Sequence, residues 1–328
     1  ENGKAQIDYD RCVSCGQCLV RCPFGAIVDK SQIFQVVRSI AEGNTVVAIV
    51  APSFVGQFGK NVTVPKFVAA MKQLGFSDVV EVAAGADVCA IEEARDFVEK
   101  VPSRQKFLAT SCCPSWRMMA RRLFPNESSN ISMTYTPMIY TARLVKHTHP
   151  GSKVVFIGPC AAKKLEAMQQ ELRSDVDFVL TYEELMGIFE AKAIDFSQLP
   201  DTQELHDASG LGRGFAAAGG VAAAVEEVLR RTQPDMEIKI QRADGLRECR
   251  RLLTIAKEGK LDGFLLEGMA CQGGCVAGAG TIIPAELAKK QLDVHVRQAE
   301  VFSCAESPYR AFAGLLEEPA AREEETKR

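Results

Sequence analysis

Short apolar runs alternate with stretches of helical periodicity along most of the chain. Compact β-branched runs such as 45–50 predict buried strands, whereas apolar residues three and four apart predict helices. The predicted strands are 45–50, 79–82, 107–109, 153–157, 177–180, 236–240 and 261–266. The predicted helices are 64–74, 87–98 with Asp87 as N-cap, 116–123, 137–147, a segment from the Cys160 loop to Leu172, 182–191, and a segment from Gly219 to Arg230.

Strands that alternate with helices indicate an α/β fold with mostly parallel sheets and helices on both faces. Ligands of such sheets collect at the carboxyl ends of the strands. Three predicted strands lead directly into loops that carry cysteine, at Cys112-Cys113, at Cys160, and at Cys271 with Cys275. We therefore expect three loops to bring thiols to one place.

The composition is that of an ordinary globular protein, with 328 residues of which 47% are hydrophobic and 25% charged. A net charge of -3 gives no electrostatic reason to expect nucleic acid or an anionic membrane as a partner. No apolar run is long enough to cross a bilayer, and no signal peptide is visible. The first residue is Glu rather than Met, so an upstream segment is compatible with the sequence.

Twelve cysteines change this picture. In a long chain with Cys-x-x-Cys spacing and no export signal, metal binding is favoured over a disulfide framework. Three of the cysteines have no thiol neighbour in sequence and are interpreted as small buried hydrophobic residues, namely Cys89, Cys249 and Cys304.

The first cysteine motif is Cys12-x-x-Cys15-x-x-Cys18-x-x-x-Cys22-Pro23. This spacing is that of bacterial ferredoxins and predicts a [4Fe–4S] cluster, with a zinc site as the alternative. In two-cluster ferredoxins the fourth cysteine of such a run binds the other cluster. Cys22 therefore either completes the same cluster or pairs with a further run upstream of Glu1.

The second set of thiols comes from the three loops. Cys271 and Cys275 flank Gly273 and Gly274, and glycine disfavours a regular helix while allowing backbone to pass close to a large group. Together with Cys113 and Cys160 they provide four thiolates, which leaves Cys112 over. Cys112 is then either a functional thiol or a buried neighbour of a ligand.

The three loops read Thr110-Ser111-Cys112-Cys113-Pro114-Ser115-Trp116, then Pro159-Cys160-Ala161-Ala162-Lys163-Lys164-Leu165-Glu166, then Glu267-Gly268-Met269-Ala270-Cys271-Gln272-Gly273-Gly274-Cys275. Together they resemble the signature loops of the [FeFe]-hydrogenases, and the resemblance spans nearly all of residues 10–284. It implies a two-lobed H-cluster domain with an N-terminal ferredoxin-like [4Fe–4S] segment. We expect the ferredoxin-like segment at 1–38, the catalytic domain at 39–316 and a disordered charged tail at 317–328.

The resemblance also assigns residues. The H-cluster of this family is a [4Fe–4S] cubane joined through one shared thiolate, here Cys275, to a diiron unit with CO, CN and azadithiolate ligands. The implied cubane ligands are Cys113, Cys160, Cys271 and Cys275. The implied proton path is Cys112, Glu93, Ser132 and Asp96, and the implied contacts of the diiron unit are Lys163, Pro52, Ser53 and Met269.

The implied activity is the reversible reduction of protons to H₂, 2 H⁺ + 2 e⁻ ⇌ H₂. The implied partners are H₂ and protons, a ferredoxin-like electron carrier and the maturation proteins that install the diiron unit, in the cytoplasm of an anaerobic organism. The alternatives are an H₂ sensor with the same cofactor, and an iron–sulfur scaffold or electron-transfer protein without the diiron unit. Cys112, Lys163 and Met269 speak against the scaffold, because a plain cubane needs none of them.

The chain departs from the best-known members at several positions. Gly158 stands where they have Met before Pro-Cys, Met138 replaces a Gln, and Asp96 replaces a Glu in the proton path. The last loop continues as Gly278-Ala279-Gly280-Thr281. These differences predict a divergent subgroup of the family.

Overall fold

The structure is a computed structural model that describes residues 6–201, 205 and 208–316. The predicted tail at 317–328 lies outside the described residues. No helix among those described is both long and apolar enough to cross a membrane.

Two parallel sheets form the framework, as the strand and helix alternation predicts. The first sheet has the order β2-β1-β4-β5 and the second the order β3-β7-β6. The strands are β1 Val46–Val50, β2 Asp78–Glu81, β3 Leu108–Ala109, β4 Lys153–Gly158, β5 Phe178–Thr181, β6 Lys239–Asp244 and β7 Phe264–Met269. The predicted α/β fold with parallel sheets is therefore confirmed.

Helices cover both faces of each sheet. They are α1 Gln17–Arg21, α2 Ile33–Ala41, α3 Val64–Leu74, α4 Ala83–Lys100, α5 Pro114–Leu123, α6 Pro137–Thr148, α7 Ala162–Ala167, α8 Tyr182–Ala191, α9 Gly210–Gly214, α10 Gly220–Thr232, α11 Leu246–Lys257 and α12 Ala285–Arg297. Along β1, Ala48 and Val50 pack toward α3 and α8, whereas Val47 and Ile49 pack toward α6. This alternation is that of a strand buried on both faces.

Several predicted boundaries are wrong. Helix α4 begins at Ala83, so Asp87 is not its N-cap but a buried residue within the helix. The helix after Cys160 ends at Ala167 rather than Leu172, and the last two strands lie three residues further along the chain than predicted. Helices α2, α11 and α12 were not among the predicted elements.

The N-terminal segment is tied to the rest of the chain by polar contacts. Arg122 donates to the carbonyl oxygens of Tyr9 at 3.2 Å and Cys12 at 2.7 Å, and Lys164 pairs with Asp29 at 2.7 Å. The predicted boundary between residues 38 and 39 falls inside α2, which packs on α8 and β5. The division into domains stays a prediction. Because a boundary at 38/39 would cut α2 in two, a boundary before Ile33 fits the structure better.

Candidate metal centre

A cavity lies where the carboxyl ends of β1, β3, β4 and β7 meet. Eight of the residues that the sequence assigns to the cofactor or its surroundings line the cavity: Cys112, Cys113, Cys160, Cys271, Cys275, Lys163, Pro52 and Met269. The three cysteine loops thus converge as their positions after strands predict.

The Cys112-Cys113 loop is held from behind by Trp116, which is fully buried. Its indole Nε1 donates to the carbonyl oxygen of Thr110 at 2.9 Å. The ring lies flat against Gly268 of β7, where a Cβ atom would come within 2.3 Å of it. Gly268 therefore lets β7 and the loop after β3 approach closely enough to share one cavity.

The half-buried carboxylate of Asp244 fixes the Cys271 loop, and the buried carboxylate of Glu267 fixes the strand before it. Asp244 accepts from the backbone N–H of Gly273 at 2.5 Å. Glu267 accepts from the N–H groups of Gly219 at 2.6 Å and Ala222 at 2.7 Å, at the start of α10. Because these N–H groups have no partner within the helix, the carboxylate satisfies them and locks β7 to α10. The Glu of the third loop motif thus has a structural explanation.

The four thiols that are predicted to be ligands resist ionisation on their own. Burial raises the pKa of Cys160 to about 11 and that of Cys275 to about 12, and it also raises the pKa of Cys113 and Cys271. A bound metal supplies the positive charge that makes thiolates stable at such a place. No group of three or more His, Cys, Asp or Glu side chains in the described part of the chain is arranged to hold a single ion. The thiols line a cavity instead of converging on the position of one ion. This arrangement suits a cluster of several metal atoms.

A buried ammonium group belongs to the same cavity. Lys163 Nζ lies 2.6 Å from Glu166 Oε2 and 3.4 Å from the carbonyl oxygen of Cys112. Burial alone would lower the pKa of Lys163, but the Glu166 carboxylate outweighs it and the net shift is upward. Lys163 is therefore charged, and Glu166 was missed as a functional residue although its spacing three residues after Lys163 on a helix would have revealed the pair.

The residues of the predicted proton path range from Cys112, which lines the cavity, to Asp96, which is partly exposed to solvent. Burial raises the pKa of Cys112 well above its ordinary value. Glu93 is fully buried, with Oε1 accepting from the N–H of Ser111 at 3.3 Å and Oε2 buried without a hydrogen-bond partner among the described residues. Burial raises the pKa of Glu93 to about 8, although the Ser132 hydroxyl lowers it. Asp96 is partly exposed and pairs with Lys100 at 2.6 Å.

The far wall of the cavity is apolar. Phe156 and Met138 line it beside Pro52. A Cβ atom on Gly158 would come within 2.5 Å of the Phe156 ring, so this ring occupies the space that a side chain at position 158 would need. Ser53 is buried but is turned toward Tyr182, and the structure does not bring its side chain to the cavity with the others.

The ferredoxin-like motif reaches the same cavity through Cys15. Gly16, at a φ of +74°, packs directly on Ala279, where a Cβ atom would come within 2.4 Å of the Ala279 side chain. Cys22 differs from the cavity thiols, because backbone N–H groups led by that of Phe24 lower its pKa. The assignment of Cys12, Cys15, Cys18 and Cys22 to a [4Fe–4S] cluster stays a prediction.

Known proteins resemble this chain in sequence and in fold. The NADP-reducing hydrogenase subunit HndD of Solidesulfovibrio fructosivorans is 29% identical over 82% of the chain, which spans 55% of that subunit. The cytosolic iron-sulfur assembly component 3 of Bos taurus is 25% identical over 88% of the chain and 74% of its own length. The apo [FeFe]-hydrogenase HydA1 of Chlamydomonas reinhardtii, in a variant form, superposes with a TM-score of 0.68 at 19% identity, covering 89% of this chain and 96% of that one.

Two family descriptions match the sequence directly. A 4Fe-4S binding domain matches residues 5–28, which contain the ferredoxin-like motif. The family described as "Iron only hydrogenase large subunit, C-terminal domain" matches residues 44–279, which carry both sheets and all three cysteine loops. The chain therefore belongs to the iron-only hydrogenase large-subunit family and carries a 4Fe-4S binding segment in front of its hydrogenase-like domain.

Proposed function

We propose that the protein is a hydrogenase that interconverts H₂ with protons and electrons at an H-cluster held by Cys113, Cys160, Cys271 and Cys275. The observation that carries the proposal is the content of the cavity. A [4Fe–4S] cubane is held by four thiolates. Besides Cys15 of the ferredoxin-like motif and the four thiols predicted to hold the cubane, this cavity presents a further thiol, Cys112, and a buried ammonium, Lys163. These additional groups suit a larger, anionic cofactor.

The bound cofactor would supply an open iron site and a base at which H₂ is formed or split. The side chains of this protein would handle charge and protons around it. Lys163 neutralises negative charge in the cavity, and Glu166 holds it in place. The thiol of Cys112 and the carboxyl of Glu93 both hold a proton at neutral pH because burial disfavours their charged forms. Asp96, paired with Lys100, is the partly exposed end of this path.

The proposal extends to partners and location. The 4Fe-4S segment packs against the cavity at Gly16 and Ala279, so its cluster would carry electrons from a ferredoxin-like carrier. Maturation proteins would install the diiron unit. A cytoplasmic location in an anaerobic organism fits a cofactor that works without oxygen.

The test is an infrared spectrum of protein matured anaerobically with the diiron unit. Iron-bound cyanide and carbonyl groups give bands that no amino-acid side chain produces, and we expect them together with H₂ turnover. Bands with very little turnover would favour the H₂ sensor. Absence of the bands after competent maturation would contradict the proposal.

An iron–sulfur assembly or scaffold role is the second candidate. Its support is the similarity to the bovine assembly component over 88% of the chain. This role predicts iron–sulfur clusters without the infrared bands, and transfer of a cluster to an apo acceptor protein. The two candidates therefore differ in the spectrum of the same preparation.

A further inference from the structure

A buried tyrosine lies directly behind the loop that follows β1. Tyr182 is the first residue of α8 and has no exposed surface. Its hydroxyl oxygen lies 3.0 Å from the carbonyl oxygen of Ala51 and 2.8 Å from Ser53 Oγ. Ala51 and Pro52 line the cavity, whereas the Ser53 side chain is turned away from it toward the tyrosine.

The direction of these hydrogen bonds follows from the number of protons. A carbonyl oxygen can only accept, so Tyr182 must donate its single proton to Ala51. Toward Ser53 the tyrosine oxygen is then an acceptor, and Ser53 must be the donor. The Ala51 carbonyl oxygen also accepts from the N–H of Phe54 at 3.0 Å, but the reverse arrangement would still hold it 3.0 Å from the tyrosine oxygen with no proton between the two, which is repulsive. The single hydroxyl proton of Ser53 is therefore directed away from the cavity.

We infer that Tyr182 is a positioning residue for the cofactor, an inference that rests on the proposed function. It fixes the Ala51-Pro52-Ser53 turn from behind and prevents the Ser53 hydroxyl from donating to a cyanide ligand. The turn then offers the cofactor its apolar surface and its backbone. This differs from the direct contact that the family resemblance implies for Ser53.

The first experiment uses infrared spectra of the matured protein with the variants Tyr182→Phe, Ser53→Ala and the double variant. We expect Ser53→Ala to leave the cyanide bands where they are, because its hydroxyl makes no contact with the cofactor. Tyr182→Phe frees the Ser53 hydroxyl and shifts a cyanide band, and the double variant returns the band to its original position. Tyr309→Phe, a half-buried tyrosine that does not line the cavity, is the matched control.

A shift in Ser53→Ala alone would overturn the inference, because it would show direct donation by Ser53. Identical spectra for all the variants would also overturn it, since Tyr182 would then position nothing. Absence of the bands from the unsubstituted protein would instead overturn the proposed function.

The second experiment needs no diiron unit, so it decides the coupling of Tyr182 and Ser53 even if the proposed function fails. We compare melting temperatures of the same variants at one scan rate. Tyr182→Phe should lower the melting temperature by roughly 2–5 °C, the usual effect of losing a buried hydrogen bond in a chain of this size. Adding Ser53→Ala should lower it little further, because the bond between the two hydroxyl groups is already lost. Fully additive shifts would overturn the inference.

Discussion

Replacement of Glu93 by glutamine tests whether a buried proton is held beside the cysteine loops. Raising the pKa of this carboxyl from its ordinary 4.5 to about 8 corresponds to about 5 kcal/mol of preference for the protonated form. At neutral pH roughly nine tenths of the molecules would carry this proton. Glutamine has nearly the same shape and cannot titrate, so the variant isolates the contribution of the proton.

The sign of the pH effect follows from linkage. The folded state holds a proton that the unfolded state releases above pH 4.5, so stability from this group is complete below that pH. It is lost progressively as the pH rises through about 8. We expect the free energy of unfolding of the unsubstituted protein to fall over this range by an amount on the order of 5 kcal/mol, and that of Glu93→Gln to lack this fall.

The assay combines two measurements on protein without the diiron unit. Infrared difference spectra follow the protonated carboxyl as the pH is raised, and calorimetry compares stability at about pH 5 and about pH 9 on either side of the expected transition. Glu99→Gln, an exposed position on the same helix, is the control. A carboxyl that titrates near 4.5, or an equal loss of stability in the protein and in Glu93→Gln, would refute the reasoning.

Three further substitutions test the site. Cys112→Ser should abolish most H₂ turnover while leaving the iron content unchanged, and full turnover would contradict the proton-relay assignment. Gly268→Ala brings a Cβ atom within 2.3 Å of Trp116 and should cost about 1–3 kcal/mol, measured as a lower denaturation midpoint. Glu267→Ala removes the acceptor for two N–H groups of α10 and should cost on the order of 2–3 kcal/mol. Hydrogen exchange at Gly219 and Ala222 should then accelerate, and unchanged exchange would contradict the capping role.

The sequence predicts most of the fold because most of the strands carry compact apolar runs and are joined by helices of ordinary spacing. The predicted end of β7 is wrong because the last residues of this strand have side chains chosen for contacts near the cysteine loops rather than for a strand. Glu267 and Gly268 do not look like strand residues, yet both lie in β7, where one caps α10 and the other makes room for Trp116. Strand β6 is the edge of its sheet and largely exposed, so its apolar pattern is weak.

Helix α4 shows how tertiary contacts override a local signal. Asp87 is a good N-cap residue by type, but its carboxylate instead accepts hydrogen bonds from the Ser209 hydroxyl and N–H inside the protein. The helix begins four residues before Asp87, at Ala83. In this first turn Gly85 packs so closely against α6 that a Cβ atom would come within 2.3 Å of the Pro137 carbonyl oxygen. Partners more than 50 residues away in sequence decide both features, and local propensity does not report them.

The site could be predicted to the level of its loops, because each thiol follows a strand and parallel strands share an edge. Its fine contacts could not. The hydroxyl group of Ser53 is hydrogen-bonded to a tyrosine 129 residues away, and the space beside Gly158 is filled by the ring of Phe156. Both depend on which side chains reach one point in the folded chain.

The loss of folding stability caused by buried polar groups helps to choose between a hydrogenase and a protein that holds only a cubane. Burying Glu93 disfavours its charged form by several kcal/mol, and burying Lys163 is tolerable only because Glu166 is there to pair with it. Neither group is needed to bind four irons and four sulfides to four thiolates. A site with the additional thiol Cys112 and a paired ammonium at the cavity, and a protonated acid behind the Cys112 loop, is less stable than an apolar site that holds the same cubane. The groups that lower the folding stability are those that proton transfer and an anionic cofactor require. This match favours the hydrogenase.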